Sequence, residues 1–226
     1  MFPRYTVFFA LFVTCLSGPL PGQTSHEVSL SAVNQLDLHG VKADPVTYRG
    51  VAAMRIMDSA AKDVGDDGRL AILRGTSFQN GTIEVTVAGD TAPDAPTLAR
   101  GFVGIAFRAT DAAHFECFYI RPTNGRAEDQ LRRNHSTQYI SIPGFPWNKL
   151  RDETPGKYES YVDLVPGQWT RIKIQVAGQT AKLYVNGADQ PALIVNDLKQ
   201  PVAKGGIALW VGPGTIAHFA DLKVSP

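Results

Sequence analysis

Gln168 to Gly178 reads QWTRIKIQVAG, Thr180 to Gly187 reads TAKLYVNG, and Gly205 to Val224 reads GGIALWVGPGTIAHFADLKV. In the first run Ile172, Ile174 and Val176 alternate with Arg171, Lys173 and Gln175, the period of two that sends successive side chains to opposite faces of a strand. The second run alternates in the same way after a tight turn, and the third carries its own Gly-Pro-Gly turn. Each run is too short, and too rich in β-branched and aromatic residues, to be a helix. Strands joined by such turns predict an all-β chain built from antiparallel sheets.

Further toward the N-terminus, Phe78-Gln79-Asn80-Gly81 places a turn before the alternating strand Thr82 to Val87. Pro93 and Pro96 make Ala92 to Ala99 a loop. Gly101 to Arg108 (GFVGIAFR) and His114 to Arg121 (HFECFYIR) form a hairpin across a short Thr-Asp-Ala-Ala linker. Val103, Ile105 and Phe107 share the core face of its first strand. A glutamate is almost never buried unpaired, so Glu116 is expected on the face away from the core, within reach of Arg108. Earlier still, a first strand is expected around Val41, a better one over Val46 to Met57, and a short one over Arg69 to Arg74. Trp169 is expected to pack structurally, and Trp210 to face away from the core pair Leu209 and Val211.

The chain has 226 residues, 44% hydrophobic and 19% charged, with a formal net charge of +1, which describes a folded globule with no electrostatic case for nucleic acid as partner. Arg4 followed by the apolar stretch Val7 to Leu16 and then Ser17-Gly18 reads as a secretory signal over residues 1–22, too short for a comfortable membrane span. The expected location is therefore secreted or periplasmic. Removing that segment leaves 21 basic and 21 acidic side chains and a single cysteine, Cys117, so the fold must rest on core burial rather than on an internal disulfide. Residues 23–226 are expected to form one domain, and the protein a monomer.

The Asn-Gly entry to the strand after Phe78, the hairpin ending at Asn186-Gly187 and the Gly-Ile-Ala-Leu-Trp-Val-Gly closing strand resemble the concanavalin A-like lectin/glucanase superfamily, in particular its laminin-G-like and 3-keto-disaccharide-hydrolase-like branches. The resemblance covers Phe78 to the C-terminus. It implies a jelly-roll β-sandwich of two antiparallel sheets and an exported protein linked to carbohydrate. It transfers no catalytic residue, because the Glu-x-Asp-x-Glu strand of the superfamily's glucanases is absent.

Arg121 to Tyr161 interrupts the regular spacing of strands, and long insertions in compact domains are often functional. Sugar recognition needs an aromatic platform for the apolar face of a pyranose and planar polar groups for its hydroxyls. The insertion supplies platform candidates in Tyr139, Trp147 and Tyr158, donors in Arg121, Asn124, Arg126, Arg132, Arg133, Asn134 and His135, and acceptors in Glu128 and Glu159, beside a sheet face expected to bear Arg108 and Glu116. Pro143 and Pro146 restrict the backbone ahead of Trp147, which is expected to be partly exposed if Arg121 to Tyr161 folds over the sheet as a binding loop. Carbohydrate is thus the expected partner. Two other readings stand beside it: a glycoside-cleaving enzyme with Glu116 or Glu159 as base, and a laminin-G-like protein-interaction module. His26, His39, His114, His135 and His218 are scattered without ligand spacing, so no zinc site and no cofactor is expected. The acidic turn of Asp63, Asp66 and Asp67 leaves a structural calcium ion open.

Overall fold

A computed structural model describes Met1, residues 25–59 and residues 68–226; the expected signal segment and the Asp63, Asp66 and Asp67 turn lie outside these described residues. The strands are β1 (His26–Glu27), β2 (Leu36–His39), β3 (Val41–Tyr48), β4 (Val51–Asp58), β5 (Leu70–Leu73), β6 (Gly81–Thr91), β7 (Val103–Asp111), β8 (His114–Ile120), β9 (Thr137–Ile142) and β10 (Glu159–Ser160). They continue with β11 (Thr170–Ala177), β12 (Thr180–Val185), β13 (Leu193–Val195), β14 (Gly206–Val211) and β15 (Thr215–Ser225). Two short helices, α1 (Gln130–Asn134) and α2 (Trp147–Glu153), flank β9.

These strands form a β-sandwich of two antiparallel sheets. The eight-stranded sheet runs β13-β12-β11-β6-β15-β4-β3, with β1 paired to β15, and the seven-stranded sheet runs β10-β9-β8-β7-β14-β5-β2. Ile83, Val85 and Val87 of β6 and Phe219 of β15 meet Ile105 and Phe107 of β7, Phe118 of β8 and Leu209 of β14 in the core between the sheets. Burying each such side chain stabilises the fold by about 1.5–3 kcal/mol. A second buried cluster, Leu70, Ala106, Phe115, Cys117, Tyr119, Ile140, Ala208 and Trp210, occupies the other face of the seven-stranded sheet.

The alternation in β11 and β12 is realised in register: Ile172 faces Val185, Ile174 faces Leu183 and Val176 faces Ala181, all buried. Two expectations are corrected. Val46 to Met57 is not one strand, because Arg49 and Gly50 both take positive φ (48° and 79°), the signature of a two-residue hairpin turn between β3 and β4. Pro45 within β3 is tolerated because β3 is the edge of its sheet. Arg121 to Tyr161 is not an insertion laid over a finished sheet, for it contributes β9 and β10 to the seven-stranded sheet itself.

Candidate functional site

Strand pairing places one row of side chains across the seven-stranded sheet. Glu159 of β10 lies opposite Gln138 of β9, which lies opposite Tyr119 of β8; Gly104 of β7 and Trp210 of β14 continue the row. In an antiparallel sheet directly paired residues share a face, so all five point outward, away from the inter-sheet core. The Tyr119 and Trp210 rings stack with centroids 4.5 Å apart over Gly104. A Cβ at residue 104 would come within 2.2 Å of the Phe118 carbonyl oxygen and 2.5 Å of the Tyr119 Cβ, so only glycine fits between the two aromatics.

The polar end of the row is a buried ionic network. Arg121 donates from one nitrogen to the Tyr119 hydroxyl (2.8 Å) and Gln138 Oε1 (2.9 Å), and from the other to the His135 carbonyl (3.0 Å) and Glu159 Oε1 (3.2 Å). Glu159, 6% exposed, also accepts from Arg151, through Nε at 3.0 Å and through a shorter bond from its Nη2. His135 Nε2 lies 3.5 Å from Glu159 Oε2, and burial pushes the imidazole pKa down against the pull of that carboxylate. The carboxylate is thus satisfied from two guanidinium groups, the condition under which a buried charge is tolerated.

Helix α2 brings the network to the surface. Trp147 and Arg151 are four residues apart, hence on one helix face, and the Arg151 guanidinium lies 4.7 Å from the Trp147 ring centroid. Trp147 is 38% exposed, partly open as its two upstream prolines suggest, and Leu150 anchors the helix in the core. Asn124 joins from the other side: its Nδ2 donates to the His135 carbonyl (3.1 Å), while its Oδ1 lies 3.5 Å from Arg132 Nη2. Asp129 caps α1 by accepting from the Arg132 amide (2.9 Å), which sets the position of Arg132.

Five of the expected site residues, Arg121, Asn124, Arg132, His135 and Glu159, therefore meet in one place, with Trp147 at its rim. The others lie elsewhere. Arg126 forms a two-bond ion pair with Asp163 at the surface, Arg133 binds the Tyr161 hydroxyl (2.9 Å), and Asn134 accepts from Gln130. Tyr158 is buried and donates to Asp197 (2.7 Å); burial alone would raise the Asp197 pKa, but Lys157, Lys199 and Tyr158 hold it at about 2. Arg108, at a bulge with φ of 52°, is buried and binds the carbonyls of Gln79 (2.9 Å) and Gly178 (2.7 Å), clamping two turns together rather than lining a face.

Glu116 corrects the sequence expectation most sharply. It is 0% exposed and shares the inner face of β8 with Phe118 and Ile120, whereas Phe115, Cys117 and Tyr119 point outward. Burial is possible because the carboxylate is hydrogen-bonded: the Tyr139 hydroxyl donates to Oε2 and the Gln200 amide to Oε1 (2.7 Å), closing a loop over that end of the core. Desolvation raises its pKa, against these bonds, and Tyr139, itself buried, serves as its partner and not as a platform. Glu116 pairs with Ser141, three residues from the Gln138 that pairs with Glu159. The two glutamates thus lie on opposite faces of the sheet and cannot flank one glycosidic bond.

Arg151, Gln138 and Tyr119 were not singled out from sequence. The four-residue spacing of Trp147 and Arg151 is a local signal that could have found Arg151; Gln138 and Tyr119 depend on the pairing of β8 with β9.

No protein-family model and no curated protein matches the chain. Among solved structures, a Bacillus subtilis protein described as having a galectin-like fold is similar at a TM-score of 0.55 and 12% identity, over 89% of this chain and 98% of that one. A carbohydrate-binding module from Bacillus subtilis is similar at a TM-score of 0.50 and 14% identity, over 84% of this chain and 98% of the module. At such identities the likeness is one of fold. Together with the two open antiparallel sheets, it gives this chain the same β-sandwich fold as these two proteins.

Proposed function

We propose that this protein is an exported carbohydrate-binding β-sandwich that recognises a glycan at the Glu159 end of the seven-stranded sheet. The observation that carries the reading is a carboxylate fixed by Arg121 and Arg151, with the Arg151 guanidinium lying over the half-open ring of Trp147. Planar donors and acceptors held rigid next to an aromatic surface are what a pyranose needs, since hydroxyls demand fixed partners and the ring's apolar face demands a flat one. Tyr119 and Trp210, each 2% exposed, extend the row as a shielded floor, with the Tyr119 hydroxyl holding Arg121 in position. The similarity in fold to a carbohydrate-binding module supports the reading.

Affinity electrophoresis against plant and bacterial polysaccharides tests it. Retardation by at least one polysaccharide, weakened in Arg151→Ala, is the expected result. If the folded protein migrates unretarded through every gel, the proposal is wrong.

A further inference from the structure

We propose that Glu116 is a proton-operated positioning residue for the glycan site: neutral, it seats residues 199–204 as a strap against the turn that leads into Trp147, and ionised, it lets that strap loosen. The inference rests on the carbohydrate reading above. The strap crosses from β13 in the eight-stranded sheet to β14 in the seven-stranded one. Both of its ends are fixed. Upstream, Leu198 is buried and its amide donates to the Gln179 carbonyl (2.9 Å); downstream, Gly205 exchanges two backbone bonds with Phe78 (2.8 and 3.0 Å). Between these anchors Pro201, Val202, Ala203 and Lys204 are exposed, and the backbone is held by the Lys199 amide on the Tyr139 hydroxyl (2.8 Å) and the Gln200 amide on Glu116 Oε1 (2.7 Å).

Glu116 is a fully buried carboxylate without a cation of its own. From β7, Arg108 is occupied by the carbonyls of Gln79 and Gly178; from the strap, the Lys199 ammonium turns to Asp197 (2.8 Å); among the described residues no ion pair includes Glu116. From β9 it faces Tyr139, which donates to it, and Ser141, its direct cross-strand partner. Ser141 Oγ is buried with no hydrogen-bond partner, which leaves it free to accept the proton of a neutral Glu116. Burial raises the pKa of Glu116 above its ordinary 4.5, against the bonds from Tyr139 and Gln200. The bond from Gln200 is only partly buried and that from Tyr139 is buried, so water reaches the carboxylate by lifting the strap. A lifted strap returns Glu116 to water and to its ordinary pKa. The seated state therefore holds the proton more tightly: seating is favoured as the pH falls toward 4.5 and weakened as it rises through the raised value.

The strap and the rim of the site hold one turn from two sides. From the strap, Gln200 Nε2 donates to the Ile142 carbonyl (3.2 Å) and the Lys199 ammonium lies 5.4 Å from the Phe145 ring centroid. Ser141 and Phe145 close the turn with a pair of backbone bonds (3.1 and 2.9 Å). From α2, the Lys149 ammonium donates to the Gly144 carbonyl (2.9 Å) and lies 4.8 Å from the same Phe145 ring. Pro146 then leads directly into Trp147, the first residue of α2. A seated strap thus fixes the helix that presents Trp147 and Arg151, and rigid presentation is what favours binding.

The test follows the Lys199 and Gln200 amides by hydrogen exchange in the whole protein from about pH 5 to about pH 8, as protection relative to the unstructured chain. In parallel, calorimetry over the same range measures affinity for the polysaccharide that most retards the protein in affinity electrophoresis. Protection at Gln200 is expected to fall about fivefold or more as the pH rises, with affinity falling in step. Glu116→Gln, neutral at every pH and able to donate to Ser141 Oγ, should hold both at their acid level. Protection that stays flat or increases with pH in the unaltered protein overturns the proposal without need of a variant. An unchanged pH profile in Glu116→Gln overturns the assignment to Glu116 and passes it to another group, first His135 beside Glu159. A strap that responds while affinity does not overturns the link to Trp147. Retardation by no polysaccharide at any pH removes the carbohydrate reading and the positioning role with it, while amide protection still decides whether Glu116 operates the strap.

Discussion

The outer faces of the two sheets are built on opposite plans. On the eight-stranded sheet, Lys223, Glu84, Lys173 and Tyr184 lie side by side in register, charges alternating in sign, and line a shallow groove of about 300 Å³ with Arg171 and Asp221. Each charge there has water and an opposite neighbour. On the seven-stranded sheet, the equivalent layer is Cys117, Ala106 and Ala208 in one row and Tyr119, Gly104 and Trp210 in the next, all shielded, with the ionic cluster confined to one end. Charge that is spread over a solvated face does little, because water screens it; charge gathered at the end of an apolar floor is desolvated and must be arranged with care.

The contrast breaks most visibly at Glu159 and Gly104. Glu159→Ala would leave Arg121 buried without its carboxylate and is expected to lower stability by about 3–5 kcal/mol in denaturant unfolding. A loss under about 1 kcal/mol would show that the cluster is far wetter than its burial implies. Gly104→Ala probes the floor: its methyl would collide with Phe118 and Tyr119, at a cost of about 3 kcal/mol and with the Tyr119–Trp210 stack disrupted, visible as altered near-ultraviolet circular dichroism.

Among the described residues, the eight-stranded sheet has one buried titratable exception, His218, 8% exposed and stacked on Tyr48 at 3.7 Å. Burial, aided by Arg55, lowers its pKa from 6.5 to about 4. A depressed pKa means that the unfolded chain takes up the proton first. The stability contributed is therefore complete above about pH 6.5 and is lost as the pH falls through about 4. His218→Phe keeps a ring against Tyr48 and should flatten this acid limb by roughly 2 kcal/mol. An unchanged slope between those pH values would assign acid sensitivity to other groups.

Trp147→Ala tests the rim. With 38% of the residue already exposed, the change should leave the melting temperature nearly unmoved while weakening glycan binding by about 1 to 2 kcal/mol. A large fall in melting temperature instead would make Trp147 a core residue and displace the site. The smallest effect belongs to the counterpart of Glu159: Glu84→Ala, exposed among lysines, should change stability by less than about 0.5 kcal/mol. A comparable loss at both glutamates would erase the distinction between the faces.

The same two plans were unequally legible in the sequence. β11 and β12 alternate cleanly because only one of their faces is buried, so the alternating set Ile172, Ile174 and Val176 could be read directly. β7, β8 and β14 are nearly continuous apolar runs because both faces are covered, and such a run does not say which face is which. That ambiguity is what misplaced Glu116, for the rule that buried glutamates are rare could not anticipate Tyr139 and the Gln200 amide arriving to satisfy one.

The sequence by itself determined the all-β class, the turns at Asn80-Gly81 and Asn186-Gly187 and the β7–β8 hairpin, since these depend on residues near one another in the chain. Only the tertiary structure decided that Glu159 stands in line with Gln138, Tyr119, Gly104 and Trp210. Those neighbours are brought together by ladder register across strands far apart in sequence. A one-residue slip in that register would turn every one of their side chains to the other face.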